Sequence, residues 1–527
     1  MSDESGSRGG PSQPNDKREG CDRCAVQSAL SRRADAADLV TQGKTFLAKR
    51  QWSEALDALS EAIRLAPQEP QAYYYRASVH YFIGDAQGGM ADAQKVIDLA
   101  PASPAGWFQR AVGHARQAGY REAVLDYTEA IRLGAVAERP CTVWFEEGTL
   151  SVRRDLPALF ARAHCHTAVH DYEQALADLR QVLDVQPSWP GGFKLRAWVR
   201  LAMADYESAI ADYTKAIAQD QSDVDAFMSR SSAYFRMGQI ENALADCDRA
   251  LDLAPAHAGA WAQRAYGFWL TGEYKRAADG YTEALRLDAD DSSHGRPRAT
   301  GYLPDAKDPI GIDAAALTLR AECYTALGDY ERALADLDRM IELHPVSAFG
   351  FARRAWVHRK RRDFDRGWAD CATAIVLDPD CPRALAVRGS IHSHFHRDAL
   401  ALADFTRALE LAPNDLWTYG NRGLTYFRLK DFDRAVGDYT EAIRLSPRWA
   451  EAFEGRGHAY FRLGEWRSAI EDFTRALEIK PDLKRALQYR GFAREALGDY
   501  GGATRDRLKG EGLLADDDSA CDAGDVE

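Results

Sequence analysis

The feature that most constrains this chain is a period. Small residues return every 34 positions along almost its whole length. One stretch reads Gly457, Ala469, Phe473, Ala476, Pro481. A step of 34 residues back reads Gly423, Ala435, Tyr439, Ala442, Pro447, and another reads Gly389, Ala401, Phe405, Ala408, Pro413. A repeat of this length is one supersecondary unit copied and stacked, because a single copy cannot bury its apolar face alone. Thirteen copies fit; numbered 1 to 34, each has a small residue at position 8 (Gly43 to Gly491) and Ala or Gly at position 20 (Ala55 to Ala503).

Between these points apolar residues fall at i, i+3, i+4 and i+7, the spacing of amphipathic helices. Position 17 is aromatic in most repeats, from Trp52 to Tyr500. Position 32 is proline in nine repeats, among them Pro67, Pro101, Pro187 and Pro481, which ends the second helix. Each repeat is therefore expected to be helix–turn–helix. The pattern resembles the tetratricopeptide repeat family over residues 36–510. Tryptophan at position 4, part of that family's pattern, stands only at Trp107 and Trp261. The resemblance implies an all-α fold: an α-solenoid, a right-handed superhelix of about 13 repeats, with a concave groove that binds proteins or peptides.

Two spacings break the period. Ala111 to Ala163 is 52 residues and Ala265 to Ala321 is 56. The extra material is placed at 138–155 and 292–313, dividing the array into residues 36–137, 156–291 and 314–510. The repeats before these insertions carry Ala135 and Ala289 where proline usually stands. In the first insertion, 142–145 and 149–152 favour strand around Glu146-Glu147-Gly148 and predict a hairpin. The second is rich in Gly and Pro and predicts a loop. A functional loop and a tolerated surface insertion are both open readings.

Composition narrows the setting. No apolar run is long enough to span a bilayer, and the N-terminus has no basic-then-apolar leader. Nine cysteines in 527 residues are sparse, with Cys165, Cys247, Cys323 and Cys371 inside helical repeats. Reduced thiols in a cytoplasmic protein are expected. Net charge is −13, of which −7 sits in residues 511–527. Without a basic stripe, neither nucleic acid nor a membrane is an expected partner. Residues 1–35 and 511–527 are predicted to be disordered.

Position 7 is arginine in twelve repeats, from Arg76 to Arg490, on a face turned toward neighbouring helices. A charge there needs a partner. Position 23 supplies eleven aspartates, from Asp92 to Asp506. Pairing within each repeat leaves only Arg264 without an aspartate of its own, because Gly280 stands opposite. A ladder of Arg–Asp pairs is predicted, in preference to a row of arginines gripping an acidic ligand.

Candidates for chemistry are few. His166/His170 and His392/His396 have the i, i+4 spacing of zinc ligands. Position 11, however, also holds His80, His114 and His358, and elsewhere Tyr234, Tyr324, Tyr426 and Tyr460. Histidine there replaces a packing aromatic, so no metal and no cofactor is expected. Cys21 and Cys24 form a lone CxxC without a second ligand pair. No catalytic constellation is present, and no enzyme is expected.

The exposed side of the first helices is the better site. It carries the aromatics Tyr74, Phe108, Trp198, Tyr266, Trp269, Trp356 and Trp417. Among them stand Arg116, Lys194, Arg236, Arg353, Arg359, Lys360, Arg428 and Arg462. Aromatics between basic residues suit an acidic, partly apolar peptide; packing between neighbouring helices is the competing use of the rings. The Lys/Asn/Arg set with which tetratricopeptide co-chaperones hold a terminal carboxylate is not spelled here. The expectation is a non-catalytic scaffold for protein or peptide segments. The alternative is a regulatory or substrate-targeting subunit of an enzyme, or of a secretion or assembly complex, on another chain.

Overall fold

A computed structural model describes residues 15–134, 144–145, 148–149, 156–292, 300–301 and 310–511. Within them the fold is all-α, a succession of helix hairpins on the 34-residue period. Repeat 9 is typical: Ala348–Lys360, then Phe364–Leu377. The chain divides into two compact parts, residues 1–253 with repeats 1–6 and residues 254–527 with repeats 7–13. In each part, successive helices pack on one another.

Local chemistry explains the hairpin. Proline opens several first helices (Pro70, Pro104, Pro190, Pro382), where its missing N–H costs nothing. Aspartate at position 16 caps several second helices; Asp85 and Asp499, for example, accept from the N–H groups of Gly88 and Gly502. The turn between them passes through positive φ at position 15 in every repeat. Six of these residues are glycines, such as Gly84, and seven are not, such as Ala204 at φ 60°.

The core is a ribbon of small and large residues in alternation. Ala77, Ala111, Ala209 and Ala401 are fully buried, so the paired helices approach closely. Leu59, Leu179, Leu337, Phe405 and Phe473 at position 24 fill the remaining space. Clusters cross repeat boundaries: Ala469, Phe473 and Leu477 of repeat 12 pack with Ala486 and Leu487 of repeat 13.

The arginine ladder is present as expected. Eleven arginines donate from Nε and Nη2 to both oxygens of the aspartate 16 residues on, at 2.6–3.0 Å. In nine of them Nη1 also donates to position 25 of the preceding repeat, usually a threonine, at 2.6–3.3 Å. Each such arginine thus closes its own hairpin and ties it to the one before. Arg196 and Arg388 follow Arg180 and Ala372, which offer no acceptor. Arg264 lies over the Trp261 and Phe268 rings, 4.6 and 5.7 Å from their centroids.

Three boundaries differ from expectation. The first helix runs Asn15–Ala48, so residues 15–35, Cys21 and Cys24 included, are helical rather than disordered. Past Pro14 the segment has no proline and is rich in Ala, Arg and Asp; averaging it with the Gly/Ser/Pro-rich start hid its helix propensity. The second helix of repeat 7 extends to Ser292, 19 residues long, because no proline stops it. The first helix of repeat 8 opens at Ile312, two residues early.

Both insertions hold a short antiparallel pair. Trp144–Phe145 faces Gly148–Thr149, with Glu146 and Glu147 between, so Gly148 belongs to the second strand and not to the turn. Thr300–Gly301 faces Ile310–Gly311 where only a loop was expected. The rest of both insertions, residues 1–14 and residues 512–527 lie outside the described residues.

Candidate functional site

Within each part, first helices of adjacent repeats touch one another, and among the described residues no pair of second helices does so comparably. The first helices therefore line the more tightly curved side, where the candidate residues were expected.

Several candidates are engaged within the protein. Phe108 is buried edge-on against Tyr127, 5.4 Å between centroids, and packs in a cluster with Ala111, Ala123 and Ala158. It fills the gap to the next repeat and is not offered to a ligand. Arg353 is 5% exposed, paired with Glu322 and lying over the Phe349 ring. Lys194 reaches Asp223, the last residue of its own repeat and the N-cap of the next first helix, at 2.9 Å. Arg116 donates to the Tyr81 carbonyl at 2.9 Å, and Arg428 donates to the Ser393 carbonyl at 2.8 Å and to Asp398. Both arginines are at position 13, so each caps the C-terminal turn of the preceding first helix.

Tyr74 is half-buried and edge-on to Tyr75. Trp198 is 41% exposed and stacks on His164 at 5.8 Å. Tyr266 and Trp269 stack at 5.8 Å along one helix, and Arg236 is exposed.

Trp356, Arg359 and Trp417 come together. The two indoles meet at 4.7 Å and 87° although they belong to repeats 9 and 11. Between them runs the first helix of repeat 10, Pro382–His394, whose residues on this side include Ala386 and Ser390. Those side chains are too short to separate the rings, and Trp417 rests on the cluster of Leu385, Ala386 and Ala408. The Arg359 guanidinium lies 5.3 Å from the Trp356 ring and 5.0 Å from Trp417. The Lys360 ammonium lies 4.8 Å from Trp356. Among the described residues, no carboxylate is within salt-bridge distance of either cation. Burial pulls the Arg359 pKa down; Lys360, which stays exposed, is lowered by partial desolvation and then by Arg359's charge.

Trp417 also walls a hollow of about 400 Å³ between the first helices of repeats 11 to 13. Leu424, Phe427, Tyr439, Trp449 and Tyr489 form its apolar sides, and Glu454, His458 and Arg462 stand among its polar groups. Arg462 is exposed, over the Phe432 ring at 5.3 Å. His458, with Nε2 3.7 Å from the Glu454 carboxylate, holds that carboxyl below its ordinary value. The hollow was not foreseen. Its signal was Gly420 and Gly455: a Cβ on either would come within 2.4 Å of Trp449 or 2.5 Å of Tyr439.

The histidines at position 11 face the ladder. His80, His114, His358 and His392 hold Nε2 3.7–3.9 Å from ladder aspartates, filling position 11 as packing residues. His170 meets the Tyr172 hydroxyl in the turn. Among the described residues no group of three or more His, Cys, Asp and Glu could hold a metal ion. No helix there is long and apolar enough to cross a membrane.

Models of the tetratricopeptide repeat match residues 40–104, 194–258, 231–292, 315–347, 353–415, 417–448 and 450–483, together more than half of the chain. The chain belongs to the tetratricopeptide repeat family. Curated relatives cover less of it. U-box domain-containing protein 70 of Oryza sativa subsp. japonica is 28% identical over 91 residues, 17% of this chain and 11% of that protein. The tetratricopeptide repeat and J domain-containing co-chaperone DNJ1 of Cryptococcus neoformans var. grubii is 24% identical over 180 residues, 29% of this chain and 34% of that one. The matches thus span about a tenth and a third of those relatives. Among solved structures, the APC/C hetero-tetramer Cut9–Hcn1 is similar with a TM-score of 0.45 at 14% identity, covering 89% of this chain and 98% of that chain.

Proposed function

We propose that this tetratricopeptide repeat chain is a non-catalytic scaffold that binds protein segments along the first helices of repeats 9 to 13. The ligand is an acidic, partly apolar peptide. One observation carries the reading: two cations without a carboxylate partner sit against a pair of indoles on the curved side. Aromatic and arginine anchors in a groove are the usual carriers of binding energy. The match of the repeat models supports the scaffold role, and with the ladder arginines and most first-helix cations engaged within the protein, Arg359 and Lys360 are the pair left to a partner among the described residues.

Selection of a displayed random peptide library on the full chain tests this. Recovery of peptides that lose affinity on Trp356→Ala supports it. A chain that selects no peptide, or peptides indifferent to Trp356→Ala, does not bind in this way.

A further inference from the structure

We propose that Arg359 and Lys360 form the carboxylate-reading end of a two-part peptide site, with the aromatic hollow beyond Trp417 taking a bulky apolar side chain of the same peptide. This rests on the groove-binding reading above and narrows it to a motif: acidic residues beside a single Phe, Leu or Trp.

The argument begins with an imbalance. Every ladder arginine with an aspartate in its own repeat is held by both carboxylate oxygens. Arg359 lies in the same helix as Arg354, is mostly removed from water, and has a second cation as its sequence neighbour. Desolvating a cation without an anion is costly unless an anion is supplied. The two indoles supply cation–π attraction but no charge neutralisation. An incoming carboxylate does neutralise it, in a partly dry setting where the pair is stronger than in bulk water. The guanidinium rests against both rings from one side, 5.3 and 5.0 Å from centroids that are themselves 4.7 Å apart, and its N–H fork matches a planar carboxylate.

The second half is the hollow. Trp417 is common to both, meeting Arg359 at 5.0 Å and lining the 400 Å³ space. Leu424 at its edge is 47% exposed, an apolar side chain left to solvent inside the groove. The volume falls within the range of about 300–1,000 Å³ typical of ligand pockets. One apolar side chain seated there places a neighbouring acidic residue on the Arg359 side of the same indole.

The test compares three proteins, all full-length: wild type, Arg359→Gln/Lys360→Gln, and Leu424→Trp, which fills the hollow from an exposed position. Each is panned against a random dodecapeptide library, and a synthetic copy of the leading wild-type peptide is titrated by fluorescence anisotropy. The expected result is enrichment of Asp and Glu around one bulky apolar residue. Both variants then bind the peptide roughly tenfold more weakly. The loss in the double variant shrinks between about 50 mM and about 500 mM salt. Its melting temperature stays at or above the wild-type value, which separates lost binding from lost fold. Selected peptides that lack acids, or an acidic peptide that binds both variants normally, overturn the proposal while leaving groove binding intact. So does a phosphoserine version of the peptide that binds better than the acidic one, because the site would then read phosphate. A library that yields no binder overturns the groove reading itself.

Discussion

Arg354 and Arg359 lie five residues apart in one helix and have opposite fates. Arg354 faces its hairpin partner, donates to both oxygens of Asp370 and reaches Asp338 of the repeat before. Its hydrogen bond with Asp370, against the cost of burial, raises its pKa. Arg359 projects from the more tightly curved side, lies against two indoles that touch each other, and burial lowers its pKa. Residue type did not decide which arginine is structural. The presence of a carboxylate 16 residues on did, together with the side of the helix from which each arginine projects.

The largest effect should come from breaking a paired arginine. Arg422→Ala leaves the Asp438 carboxylate buried without its cation and should cost about 3–5 kcal/mol in urea denaturation. Replacing both members with apolar residues, Arg422→Met/Asp438→Leu, should cost much less. A single variant as mild as the double one would mean that the ladder is not a desolvated charge array. Burial already lifts Asp438 above its ordinary value, even beside Arg422. Without Arg422 the folded state holds that proton more tightly still than the unfolded state does. The deficit should therefore be greatest near neutral pH and shrink as pH falls through the raised value.

A smaller effect should come from giving the groove arginine what the ladder has. Lys360→Glu removes a like charge from Arg359 and adds a carboxylate. It should raise stability by up to about 1 kcal/mol while abolishing affinity for acidic peptides. Loss of stability instead would mean that the two cations are already neutralised in the free protein.

The smallest effect concerns the third ladder nitrogen. Ala372 stands where other repeats place a threonine in front of the next arginine. Ala372→Thr offers Arg388 the acceptor that Thr440 offers Arg456 at 3.1 Å. A gain of about 0.5 kcal/mol is expected after threonine's poorer helix propensity is offset. No gain would show that the bond from Nη1 contributes little and that the aspartate alone fixes the ladder.

The repeats, the hairpins and the ladder were legible because they are local or strictly periodic. A proline, a small residue or an Arg–Asp pair 16 residues apart has the same neighbours in every copy. The turn at position 15 was less legible, because Arg50, Ala118 and Lys430 at positive φ look like ordinary residues until the backbone is seen. The surroundings Asn421 to Tyr489 that make the hollow were not legible, since Trp449 precedes its helix and belongs to no repeat consensus.

The side formed by the first helices separates what each level decides. Period and polarity alone placed aromatics and cations on the first helices. They could not rank them, because ranking depends on what the next helix puts within a few ångströms. Phe108 met Tyr127 and was buried; Arg116 and Arg428 met backbone carbonyls and became caps. Trp356 met Trp417 across an intervening helix because Ala386 and Ser390 are small. One-dimensional order fixes which side of its helix a residue occupies. Only packing between repeats decides whether that side chain is satisfied there or left for a partner.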